Sequence, residues 1–182
     1  KLTQIPPFSI SQTFNISHPD WSNFVQDLAI TPSEIKILDT QEITNYRISD
    51  GFTQTSSRYS FNDGGFTYFN GKTWEAYGSG QVSLFDGSTN RTLSTPGTKN
   101  EEKEDICFSP DGTLNLKVDA HLTSENSYNS KNPYLYTYDS SFSLINMRYF
   151  PESFQENEIK SIETDEQGNL YVVRQGSLIQ LE

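Results

Sequence analysis

Short alternating apolar runs, interrupted repeatedly by Asp-Gly and Asn-Gly turns, are the feature that most limits what this chain can become. Near the C-terminus, Ile159-Lys-Ser-Ile162-Glu-Thr leads into the polar cluster Asp165-Glu-Gln-Gly168-Asn169, and Leu170-Tyr-Val172 leads out of it. Side chains alternate across a strand with period two, and Gly supplies the positive φ of a tight hairpin, so this reads as strand, turn, strand. Ile106-Cys107-Phe108, Ser109-Pro110-Asp111-Gly112-Thr113 and Leu114-Asn-Leu116-Lys-Val118 repeat the figure. In both copies the first strand's apolar anchor precedes the second's by eight residues, Ile106 to Leu114 and Ile162 to Leu170. That spacing predicts equivalent inward positions for Leu114 and Leu170. The stretch from Leu28 to Ile37 is a third copy with a shorter turn, and Tyr59-Ser-Phe61-Asn-Asp63-Gly64-Gly65-Phe66-Thr-Tyr68 is read as a fourth hairpin. Val82 to Leu93 adds one more around Asp86-Gly87.

A chain of 182 residues has the length of one domain and needs no metal or disulfide staple to hold a core. Only 33% of it is apolar, so its 12 Phe, 10 Tyr and 2 Trp must supply the burial that Leu and Met usually give. This composition argues against disorder and against a Leu-rich helical bundle. No run approaches the roughly 18–20 apolar residues of a membrane helix, so membrane insertion is not expected. A net charge of −11 repels phosphate backbones and anionic lipid, which argues against nucleic acid as a partner. The chain opens on Lys1 without a signal-peptide pattern, and is read as a processed chain or part of a longer one.

Counted from Leu28, Tyr59, Ile106 and Ile162, the copies recur at irregular intervals averaging about 45 residues, the range of four-stranded propeller blades. The expected fold is therefore all-β, with antiparallel meanders forming a β-propeller or propeller-like fragment of about four blades. A two-sheet β-sandwich is the alternative. One domain is expected, with repeat units at approximately 24–52, 55–93, 105–150 and 158–182. The polar intervals Ser94–Glu104, His121–Pro133 and Pro151–Asn157 read as surface loops, and Trp21 to Leu28 holds the one short stretch with helical character. The terminal blade, ending at Leu181, is expected to borrow a strand from residues 5–16 or to belong to a longer propeller.

Leu28-Ala-Ile30, Ile35-Lys-Ile37, Tyr46 to Asp50-Gly51-Phe52, and Asn70-Gly71-Lys72-Thr73-Trp74-Glu75-Ala76-Tyr77 together resemble the blades of bacterial two-component-regulator-type propellers and the related NHL-type family. Residues 24–80 and 158–182 carry the resemblance, with one hairpin over 105–119, about half the chain in all. It implies blades made of a strand, an Asp-Gly hairpin and a strand bearing Trp and Tyr.

Linear signatures of catalysis are missing. There is no G-x-S-x-G elbow, phosphate loop, G-x-G-x-x-G or H-E-x-x-H. His18 and His121 lie far apart without neighbouring ligands, so no metal and no cofactor is expected. Cys107, the sole cysteine, reads as a buried strand residue. Asp63, Asp86, Asp111 and Asp165 all fall at turns, where a short carboxylate bonds its own backbone. Calcium at these acidic turns is a lesser reading. The run Glu101-Glu102-Lys103-Glu104-Asp105 reads as a solvated loop, and the glycosylation-like triplets Asn15-Ile-Ser17 and Asn90-Arg91-Thr92 carry no weight in so Asn- and Ser-rich a chain.

The aromatic residues alone have functional colour. Tyr59, Phe61, Phe66, Tyr68, Phe69, Trp74 and Tyr77 crowd one stretch, and Tyr128, Tyr134, Tyr136, Tyr138 and Tyr149 another. Most must be core, but Tyr68, Trp74 and Tyr77 are the candidate ligand-binding residues. Asn70-Gly71 should turn tightly and place Lys72 and Trp74 on one strand face. Tyr77 then falls on the opposite face unless the strand bulges near Gly78. Trp74 is read either as packing between blades or as a stacking surface for a ligand. The expected function is a non-catalytic interaction module, not an enzyme, that presents propeller loops to a protein or glycan. Its expected location is extracellular, periplasmic or at the cell surface. The alternatives are a carbohydrate-active hydrolase using paired turn carboxylates, and a structural component of a surface or viral assembly.

Overall fold

A computed structural model describes residues 27–38, 42–51, 53–59, 65–77, 82–96, 104–118, 122–124, 127–128, 134–150, 159–174 and 177–181. The strand read into residues 5–16, most of the stretch from Trp21, both histidines and Asp63 lie outside these residues. Among the described residues there is no helix, and the strands form four successive antiparallel sheets. The first is β1 (Asp27–Ile30), β2 (Glu34–Leu38), β3 (Glu42–Arg47) and β4 (Thr53–Tyr59). The second is β5 (Phe66–Phe69), β6 (Lys72–Tyr77), β7 (Ser83–Phe85) and β8 (Asn90–Thr92). The third begins with β9 (Glu104–Phe108) and β10 (Leu114–Val118). A separate small hairpin, β11 (Leu122–Ser124) with β12 (Ser127–Tyr128), intervenes before β13 (Tyr134–Tyr138) and β14 (Leu144–Tyr149) complete it. The fourth has three strands, β15 (Ile159–Thr164), β16 (Leu170–Arg174) and β17 (Ser177–Leu181).

Each sheet is a meander whose first strand packs against the first strand of the next sheet: β1 on β5, β5 on β9, β9 on β15. That arrangement is four blades of a β-propeller around a shared axis. A sandwich packs two sheets face to face, whereas here four sheets follow one another in series, each packed on the next.

The fourth hairpin read from the sequence is not made. Tyr59 pairs with Glu42 at the outer edge of the first sheet, while Phe66 opens the second and pairs with Glu75. Asp63-Gly64-Gly65 carries a turn composition, but the described strands on either side of it belong to different blades. Gly65 has no room for a side chain. A Cβ at Gly65 would stand 2.5 Å from the Cα of Asp105, so the second and third blades touch there backbone to backbone.

The core lies between blades. Trp74, Ala76 and Leu84 of the second sheet meet Ile106, Leu114, Leu116, Tyr136 and Tyr138 of the third. Cys107 and Leu135, on the opposite face of the third sheet, meet Ile159, Ile162 and Val172 of the fourth. Burial pushes the Cys107 thiol well above its ordinary pKa, consistent with an inert core residue. All five residues of β10 are buried, because this strand has a blade on each side.

Candidate functional site

Three hairpins from two blades converge on one groove. Asn70 (φ 48°) and Gly71 (φ 81°) form the tight turn between β5 and β6, as the Asn-Gly pair predicts. The turn sets Phe69 opposite Lys72, and Trp74 follows two residues later on the same face. From the third blade, the turn after β9 holds Phe108 at its entrance, and the turn between β13 and β14 carries Phe142. Phe69 and Phe108 stack across the blade junction with ring centres 4.5 Å apart and planes 11° from parallel. Trp74 lies 5.2 Å from Phe108 and 5.4 Å from Phe142 in tilted contacts. The groove above them encloses about 640 Å³, with Asn70, Asp111 and Ser140 on its rim. A slightly larger groove, about 690 Å³, separates the third and fourth blades; its lining mixes Asn115, Thr137 and Asn169 with Ile145, Leu170 and Leu181 and holds no aromatic ring.

Trp74 is 9% exposed, and its indole N–H donates to the Phe69 carbonyl at 3.2 Å. It is the floor of the groove and part of the core at once. The half-buried rings of Phe69, Phe108 and Phe142 supply the accessible apolar wall. Tyr68 points the other way, onto the cluster of Ala29, Leu38, Ile43 and Phe66 between the first and second blades. Pairing along β6 runs without a register shift, so Tyr77 stays on the face opposite Trp74, and its hydroxyl donates to Asn90 Oδ1 at 2.9 Å. The structure therefore does not bring Tyr68, Trp74 and Tyr77 to one face.

Two cations flank the aromatic wall. The Lys72 ammonium sits 5.7 Å over the Trp74 ring and 2.6 Å from Asp86 Oδ2. Asp86 Oδ1 also accepts from the Ser88 and Thr89 amides, and the lysine and these donors hold its carboxyl far below the usual range. Arg91 stacks its guanidinium 5.0 Å over Phe142.

Three five-residue turns show what the sequence reading missed. Ser109 to Thr113 and Asp165 to Asn169 close with the same pair of backbone hydrogen bonds, with Gly112 (φ 89°) and Gly168 (φ 84°) in the left-handed position. Asp139 to Ser143 closes identically, but there the left-handed residue is Phe142 (φ 65°). Aligning the three turns exposes an aromatic where a glycine belongs, the one signal in the sequence that points at this groove.

The turn carboxylates are committed to their own loops. Asp111 accepts from the Thr113 amide, Asp139 from Ser141 and Ser143, and Asp165 from Gln167 and Asn169, and these bonds lower all three pKa values. Other carboxylates staple the inner strands. Asp27 accepts from the Phe66 amide of the next blade at 2.9 Å, and Asp105 from the Ile162 amide of its next blade at 2.7 Å. Burial pushes Asp27 up to about 8 and Asp105 up to about 6, the negative Asp105 adding to the effect on Asp27. Among the described residues no group of His, Cys, Asp and Glu is arranged to hold a metal ion.

No protein-family model matches the sequence, and no curated protein matches it either. Solved structures do share its fold. Kluyveromyces lactis Hsv2 aligns over 87% of this chain and 48% of its own, with 10% identity and a TM-score of 0.54. Myxococcus xanthus glutaminyl cyclase aligns over 87% of this chain and 74% of its own, with 12% identity and a TM-score of 0.55. A streptogramin B lyase aligns over 92% of this chain and 56% of its own, with 10% identity and a TM-score of 0.54. The chain spans about half the length of the Hsv2 structure. These likenesses establish the propeller fold; they do not single out the NHL or two-component-regulator type. They also correct one expectation. Two of these neighbours are named as enzymes, so the lack of a linear catalytic motif does not justify reading a chain of this fold as not an enzyme.

Proposed function

We propose that this propeller is a recognition module that binds a glycan in the groove between its second and third blades. The observation that carries the reading is the wall of Phe69, Phe108 and Phe142 over Trp74, concave and rimmed by Asn70, Asp111 and Ser140. Flat aromatic faces stack against the C–H faces of a sugar ring while rim groups bond its hydroxyls, the mixed lining expected of a small-ligand cleft. A place of work outside the cytoplasm, at a cell surface or in the periplasm, fits this role. The test is titration of the protein against a panel of neutral and acidic oligosaccharides. Phe69→Ala should weaken binding at least tenfold while the β-sheet circular dichroism spectrum is kept; unchanged affinity would remove the groove from consideration.

A protein partner is the second reading, favoured by the outer strand β14. Ile145, Met147 and Tyr149 alternate along it and are 59%, 42% and 62% exposed. Binding of a protein that survives Phe69→Ala and fails with Met147→Glu would support it.

A further inference from the structure

We propose that the ligand of the groove is an acidic saccharide, with one hexuronic acid whose carboxylate is taken by Arg91. This rests on the glycan reading above and names its ligand class.

Arg91 stands on β8, the outer strand of the second blade, and lays its guanidinium over the Phe142 ring. Among the described residues that stacking is its only side-chain interaction: it forms no ion pair and no hydrogen bond. Three other cations are paired. Lys72 is paired with Asp86, Arg47 with Asp50, and Lys36 with Glu34. Among the described residues Arg91 has no carboxylate partner, although the chain has 24 acidic residues against 13 basic ones. A guanidinium held over a ring and making no hydrogen bond of its own keeps its N–H donors available, and a fork of such donors takes a carboxylate through two parallel hydrogen bonds.

Phe142 makes the arrangement dearer to maintain. Its φ of 65° is one that bulky L residues rarely adopt, and the two sister turns use glycine at this position. Turn geometry alone does not call for a phenylalanine there. The ring it places beside Trp74 both closes the aromatic wall and carries the guanidinium. An observed backbone outlier that builds a recognition surface in this way points to function.

The charge balance narrows the ligand further. A net charge of −11 opposes a densely charged polyanion, and Arg91, over the Phe142 ring at the side of the groove, offers one unpaired guanidinium. One carboxylate in an otherwise neutral chain matches both facts, with the pyranose ring on the aromatic wall and the carboxylate at Arg91.

The experiment is isothermal titration of the full chain with three probes: a disaccharide containing glucuronic acid, its methyl ester, and a short acidic peptide. The acid should bind at least tenfold more tightly than the ester at low salt, with the difference shrinking at high salt. Arg91→Gln should erase the difference between acid and ester with the melting temperature unchanged, and Arg91→Lys should restore only part of it. Equal affinity for acid and ester overturns the hexuronate assignment while leaving the glycan reading intact. Failure of both sugars to bind overturns the glycan reading itself. Tighter binding of the peptide than of the acid overturns both and moves the groove to a protein partner.

Discussion

The third and fourth blades are built from the same hairpin yet bury it to different depths. Both open with an inner strand, a five-residue turn with a left-handed glycine, and a second strand that begins with leucine. Leu114 in the third blade is fully buried, whereas Leu170 in the fourth is half-buried. Further along, buried Lys117 in the third blade reaches the Ile159 carbonyl of the fourth, while its counterpart Val173 is exposed beside Leu178. The local sequence is equivalent; the neighbours are not. The third blade is covered on both faces and the fourth has a covered face toward the third. Burial in such an array is set by nearest-neighbour blades as much as by the strand itself.

Trp74 tests the doubly covered region most severely. Trp74→Ala removes the floor shared by the second and third blades and should cost about 3–5 kcal/mol in urea denaturation. A loss below about 1 kcal/mol would show that the junction is not part of the cooperative core.

The leucine pair measures the contrast directly. Leu114→Ala should cost about 2–5 kcal/mol and Leu170→Ala less, about 1–2 kcal/mol, since part of its side chain is already exposed to water. Equal costs would mean that something covers the fourth blade in solution. Equivalence of position is borne out by the register; equal inwardness is not.

Protonation separates the blades in another way. Asp27 and Asp105 hold protons in the folded chain at pH values where the unfolded chain has released them. Their stabilising contribution is therefore full below the unfolded carboxyl pKa near 4 and is lost as pH rises toward about 6 for Asp105 and about 8 for Asp27. Glu163 is pushed up to about 7 by desolvation and then by Asp105, but it is exposed as a residue and should contribute least. Stability should fall steadily between pH 4.5 and 8. Asp27→Asn should flatten the upper part of that fall. A curve that rises over the same interval would contradict the raised values.

The smallest effect concerns the sister turns. Gly168→Ala should cost about 1 kcal/mol for its left-handed backbone alone. Gly112→Ala should cost slightly more, because its new Cβ would also meet Ser140 Cβ at 3.4 Å. A reversed order in thermal melts would place the strain elsewhere.

Much of the blade plan was legible from residue order, because hairpins are local: Asn70-Gly71, Gly112 and Gly168 occupy the turns their chemistry predicts, and Lys72 shares a face with Trp74. Blade boundaries were harder. Asp63-Gly64-Gly65 has the composition of a hairpin turn whether the chain doubles back or crosses to the next sheet, and only long-range pairing of Tyr59 with Glu42 distinguishes the two. The interval from His121 to Pro133, read as a loop, contains the small hairpin β11–β12, too short to show alternation. The groove was least legible. Phe69, Phe108 and Phe142 come from three hairpins, and each looks like ordinary core until the blades are set side by side.

The contact at Gly65 has a mechanical meaning for that groove. The second and third blades meet at Gly65 with no side chain from the second blade between them, and the backbone and carboxylate of Asp105 crowd the place where a methyl group would be. A small spacer at this pivot would act on a long lever: Gly65→Ala would splay the blades and part Phe69 from Phe108 at the open end. The gap between those two rings is thereby calibrated by an atom that residue 65 lacks.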